Sequence, residues 1–154
     1  MTPAYSMKVE FRKTSDGAIS IPAYATGGSA AVDLHAAIEQ SLILQPFAKP
    51  ILVPTGIMLN MPSSKMAAMI MPRSGLGHKE GLCLGNTVGL IDSDYHGEVM
   101  ISALNRGGVP ITIEPNQRIA QLMFFPIFRV DLVQVKGGFS SERGEGGFGS
   151  TGNN

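Results

Sequence analysis

Four short stretches carry residue types that suit phosphate chemistry. In "PRSGLGHK" (residues 72–79), Arg73, Ser74 and Gly75 close an apolar run. A guanidinium offers a planar fork of donors, the hydroxyl adds another, and the N–H groups of a turn entering a helix suit phosphate oxygens. The same spacing fits a serine helix cap beside a surface arginine, so alone it leaves both readings open. "GNTVGLIDSDYHGEVMISALN" (residues 85–105) reads as a hairpin with "DSDYHG" as its turn. Asp92 stands at the rim of the apolar arm, where a carboxylate can orient and deprotonate a water. Tyr95 can lie against a sugar or a base. Asp33 in "AAVDLHA" and Gln121 in "RIAQLMFF" are polar groups in strand-like apolar runs. Each needs a partner, either structural or part of a site.

The C-terminal "ERGEGGFGSTGNN" sets Arg143, Phe148, Ser150 and Thr151 among glycines. Such a segment cannot bury a core, but its glycines can expose N–H groups to an anion. Gly144 and Gly149 have the spacing of a phosphate loop, yet Ser150 stands where that loop needs lysine, and no helix follows. His35, His78 and His96 lie far apart, with only Cys83 to help, so the sequence offers no structural zinc site. Ser74 lacks the glycine elbow of a serine nucleophile.

The elements that must hold these groups read as strands. "KVEFR" alternates apolar and charged residues, and "LILQP", "PILVPTGIMLNMP", "MAAMIMP", "EVMISALN", "PITIEP" and "RIAQLMFFPIF" follow, each bounded by Pro, Gly or Asn. With 19 glycines and 10 prolines, a long helix has almost nowhere to fit; one short helical turn is expected within residues 73–81. The expectation is an all-β, jelly-roll-like barrel or sandwich over residues 1–136, followed by a flexible Gly-rich arm over residues 137–154. "EVMISAL" is apolar in both phases, which calls for a second covering layer from this chain or a neighbouring copy.

The 154 residues suffice for one domain with a real core, 44% being hydrophobic and only 16% charged. Twelve basic residues balance twelve acidic ones, so no global field draws in nucleic acid or a membrane, and any anion site must be built locally. A single cysteine fits a reducing compartment, and "MTPAYSMKVEF" lacks the pattern of a secretory signal. A cytoplasmic protein is expected.

In chain order, "AAVDLHA", "PRSGLGHK", "GNTVGLIDSDYHG", "RIAQLMF" and "RGEGGFGSTG" resemble the five motifs of the homotrimeric dUTP pyrophosphatases, the dUTPases. Any one motif is weak; five in order are specific. The resemblance implies a trimer in which each site draws on all three copies. It also implies hydrolysis of dUTP to dUMP and pyrophosphate, with Mg²⁺ on the triphosphate and no direct protein ligand. That activity limits uracil in DNA and supplies dUMP for thymidylate.

By the same resemblance, Asp92 activates the water at the α-phosphorus, with Asp33 and Gln121 as supporting groups. Arg73, Ser74 and Gly75 contact phosphates. Asn86, Leu90, Ile91 and Met100 read uracil, and Tyr95 packs under deoxyribose. Arg143, Phe148, Gly149, Ser150 and Thr151 belong to the closing arm. Two departures stand out: Ala31-Val32 replaces a glycine-bearing pair before Asp33, and Asn116 takes a turn position usually held by glycine. Asn116 tolerates positive φ, so the turn can survive. A catalytically silent nucleotide-binding or regulatory trimer and a deoxycytidine triphosphate deaminase are the alternatives. The intact water-activating set and the complete arm speak against both.

Overall fold

The computed structural model describes residues 7–15, 19–141 and 144. Its ten strands are β1 (Glu10–Lys13), β2 (Val32–His35), β3 (Leu42–Leu44), β4 (Ile51–Asn60), β5 (Met66–Pro72), β6 (Leu82–Leu84), β7 (Gly89–Ile91), β8 (Glu98–Asn105), β9 (Ile111–Ile113) and β10 (Arg118–Pro126). All pair antiparallel, in the orders β1-β4-β8-β6, β2-β10-β5-β7 and β3-β9. The fold is all-β and of jelly-roll type, as the strand spacing predicts. A single π-type turn, Leu76–Glu80, follows β5, and Gly81 ends it at φ +84. A side chain at Gly81 would also meet the Gly107 backbone nitrogen at 2.7 Å, so only glycine fits there.

Leu34, Ile57, Leu82, Ile101, Ile113, Ile119 and Leu122 fill the core between the sheets. Removing such side chains from water is the main stabilising term, about 1.5–3 kcal/mol each. Asn105 is the buried polar knot. Its amide donates to the carbonyls of Leu44 (2.9 Å) and Val109 (2.7 Å), and its oxygen accepts from Gly107 N–H (2.8 Å). Every bond of that knot ties β8 to a neighbouring segment. Proline and glycine sit inside the long strand β4 because its ladder with β8 shifts register between Pro54 and Met58. There the Glu98 carboxylate accepts from Gly56 N–H, and the Thr55 hydroxyl donates to the Val99 carbonyl, each at 2.6 Å.

Two features refine the sequence reading. Residues 85–105 do not form a hairpin, for β7 pairs with β5 whereas β8 pairs with β4 and β6. The "DSDYHG" connection is therefore a corner crossing from one sheet to the other. Strand β8 does bury Val99, Ile101 and Ala103 completely while Met100 and Leu104 stay half-buried. On that second face, opposite Ser102, Leu52 is 64% exposed. Among the described residues no second layer covers it there. Asn116 adopts φ +62, so its turn survives without glycine. Beyond β10, residues 128–141 are exposed throughout and join no strand. No helix among the described residues is long and apolar enough to cross a membrane.

Candidate active site

Strand β2 alternates: Val32 and Leu34 enter the core, while Asp33 and His35 face outward. Across the sheet, Asp33 stands opposite Gln121 on β10, and Gln121 opposite Met71 on β5. Strand β5 ends at Pro72, and the chain turns at once, with Gly77 N–H donating to the Arg73 carbonyl at 2.9 Å. Period-2 alternation and one proline stop thus bring Asp33, Gln121, Arg73, Ser74 and Gly75 to one open cleft of about 420 Å³. Ala25, Ser29, Ala30, Ala31 and Met71 complete its lining.

The contacts in this cleft are specific. Arg73 Nε and Arg118 Nη1 each lie 3.0 Å from Asp33, on opposite carboxylate oxygens. The Asp33 side chain is only 14% exposed, so the carboxylate is held rather than solvated. Gln121 Nε2 donates to the Pro72 carbonyl at 2.9 Å, which fixes its amide beside Arg73. The Ser74 hydroxyl is exposed on the wall. Gly75 has ordinary right-handed backbone angles, and a Cβ there would meet nothing within 4 Å. Among the described residues, neither backbone strain nor packing calls for glycine at this position.

His35 lies next along β2, in register with Arg118. Its Nδ1 is buried without a hydrogen-bond partner. Burial pushes its pKa below the usual 6.5; Asp33 opposes the shift, and Arg118 and Arg73 reinforce it. The ring is neutral at pH 7.

The remaining candidates gather elsewhere. Leu90 and Ile91 lie on β7, Asp92 leaves its end, Met100 lies on β8, and Asn86 is exposed before β7. Tyr95 N–H donates to the Asp92 carbonyl (3.2 Å), and the Tyr95 hydroxyl donates to the Glu98 carbonyl (3.0 Å). The ring thereby folds over Gly97, where a Cβ would stand 2.5 Å from the Tyr95 oxygen. This corner and the cleft are far apart. Ile91 opposes Ala68 on β5, whereas Arg73 follows the strand's other end. At roughly 3.3 Å per residue, Asp92 and Arg73 are separated by roughly 20 Å along β5. A general base must come within hydrogen-bond reach of the water it activates. Asp92 therefore lies well outside hydrogen-bond reach of Arg73 in its own chain.

Arg143, Phe148, Gly149, Ser150 and Thr151 lie outside the described residues. Arg118, which opens the "RIAQLMF" stretch and pairs with Asp33, is a residue of this cluster that motif reading did not single out. It stands three positions before Gln121, and a regular strand places residues three apart on opposite faces.

Residues 18–152 match the dUTPase family profile. The deoxyuridine 5'-triphosphate nucleotidohydrolase of Bordetella pertussis is 54% identical over 132 residues, 86% of this chain and 88% of that protein. The enzyme of the same name from Albidiferax ferrireducens is 56% identical over the same shares. Among solved structures, the Staphylococcus bacteriophage 80alpha dUTPase with dUPNHPP aligns at a TM-score of 0.84 and 26% identity, covering 96% of this chain and all of that one. A cleft lined by arginine, hydroxyl and carboxylate, in a jelly-roll chain that matches these relatives nearly end to end, has one home: the chain belongs to the dUTPase family.

Proposed function

We propose that this chain hydrolyses dUTP to dUMP and pyrophosphate, as a homotrimer whose active sites are shared between copies. The observation that carries the shared site is the separation of its two halves along β5. One chain offers a phosphate cleft at Arg73 and a carboxylate corner at Asp92, too far apart to act together. A second copy supplies the missing half of each. The uncovered apolar face around Leu52, Met100 and Leu104 gives copies a surface on which to associate. Residues 128–141 are exposed and joined to no strand, which leaves this segment free to reach a neighbouring copy.

In this reading, Arg73, Ser74 and the backbone at Gly75 hold the phosphates. Asp92 from another copy takes the proton of the water that attacks the α-phosphorus, and the pyrophosphate leaves. Gln121 and Asp33 orient groups around that water. The corner reads the nucleoside: Asn86, Leu90, Ile91 and Met100 surround uracil, and the Tyr95 ring packs under the sugar. Arg143, Phe148, Gly149, Ser150 and Thr151 close over the nucleotide. Mg²⁺ bound to the triphosphate would disperse its charge. Both Asp33 oxygens already face guanidinium groups, so the cleft's donor set suits the phosphate end of a magnesium–nucleotide.

Pyrophosphate release from dUTP, dCTP, dTTP and UTP, with and without a Mg²⁺ chelator, tests this. Release is expected from dUTP alone and only without chelator. Turnover of dCTP in preference to dUTP, or none of dUTP, would overturn it.

A further inference from the structure

The charged residues lining the cleft among those described are Asp33 and Arg73, one of each sign. As an ion pair at 3.0 Å they leave the cleft with no net charge for a polyanion. We infer that Arg118, which is not among the lining residues, is the positioning residue that makes this cleft a triphosphate site. Its guanidinium takes the second oxygen of Asp33 at 3.0 Å and so leaves one positive charge uncompensated in the cluster. It also holds Arg73 from behind, since Arg73 Nη1 donates to the Arg118 carbonyl at 3.4 Å. Arg73 is thereby tied through Nε to Asp33 and through one terminal nitrogen to the main chain. Its planar fork is set before a phosphate arrives, which lowers the cost of ordering it on binding.

The strand geometry shows how Arg118 gets there. The ladder between β10 and β2 slips between Arg118 and Ala120: Arg118 opposes His35, and Ala120 opposes Leu34. Ile119 is the extra residue, and Ile119 and Ala120 are consecutive yet both fully buried. That bulge shifts the side-chain phase by one. Arg118 and Gln121 then flank the same carboxylate despite their odd spacing.

This inference rests on the phosphate-hydrolysis reading, and its test separates the two. Inorganic triphosphate binding to the full-length trimer is measured by calorimetry, beside dUTP turnover. At low salt, Arg118→Met is expected to weaken triphosphate binding and raise the KM for dUTP by about tenfold, the effect of one nearby uncompensated charge. Arg118→Lys, which keeps the charge and is the milder change for folding, should restore most of the affinity. Triphosphate affinity within about twofold of wild type in Arg118→Met overturns the inference. A wild-type chain that binds triphosphate but releases no pyrophosphate from dUTP refutes the proposed function instead, and leaves the binding test of Arg118 standing.

Discussion

The two ends of β5 are built on different principles. At the Arg73 end, three strands converge, and the polar side chains fix one another: Arg118 and Arg73 on Asp33, Gln121 on the Pro72 carbonyl. At the other end, past the Ala68–Ile91 pair, the corner fixes itself through its own main chain, with Tyr95 bound to the Glu98 carbonyl. The first end is organised by long-range contacts. The second is a local turn that presents an exposed carboxylate, Asp92, and an exposed apolar edge, Leu90. In the proposed function, binding power is concentrated at one end of the strand and proton transfer at the other.

The contrast yields a graded set of experiments. The largest effect belongs to Asp92→Asn, which removes base strength at constant shape. Turnover should fall about 10²–10⁴-fold with nucleotide affinity retained, as rapid-quench kinetics and calorimetry can show. Normal hydrolysis by this variant would dismiss Asp92 as the base.

Mixing chains probes the separation itself. Asp92→Asn and Arg73→Ala chains, each nearly inactive alone, are co-refolded in equal amounts. Sites that pair an intact Arg73 with an intact Asp92 from another copy should recover about a quarter of wild-type activity, from random assembly of a symmetric oligomer. No recovery would mean that each chain completes its own site.

Gly97→Ala acts on the corner alone. The new Cβ displaces the Tyr95 ring, so preference for dUTP over UTP in kcat/KM should drop about tenfold. At the opposite end, the Cβ of Gly75→Ala meets nothing within 4 Å among the described residues. The variant's unfolding midpoint should hold while pyrophosphate release slows, since only an approaching phosphate senses the methyl.

The smallest effect is a pH dependence beside the phosphate cleft. Because burial lowers the His35 pKa in the folded chain, the unfolded chain binds a proton more readily. Stability should be level above about pH 6.5 and decline as pH falls below it, toward the folded value. Denaturation curves should show this slope in the wild type and a flatter one in His35→Gln.

Much of the architecture was legible because alternation is a local property. Val32 and Leu34 inward with Asp33 outward, or Val99, Ile101 and Ala103 on one side of β8, follow from period 2. Partner choice is not local. "VGLI" and "EVMISALN" look like the arms of one hairpin, yet each finds its neighbours through distant segments, β5 for one and β4 with β6 for the other. Arg118 escaped for a similar reason. Its partnership with Asp33 depends on a slipped ladder, and the three-residue spacing to Gln121 argued against a shared face. The resemblance named candidate catalytic groups but not the ion-pair order among them, which only the register of β2, β10 and β5 reveals.

The roughly 20 Å that β5 puts between Arg73 and Asp92 also has a bearing on inheritance. In the proposed ring of three, each chain lends its cleft to one site and its corner to another. A copy defective at both ends would then spoil two of the three sites it joins rather than one. Where such a copy and a sound one are produced together, the damage would exceed the defective share. A lesion of this kind would behave as partially dominant, and the length of a single strand is what would make it so.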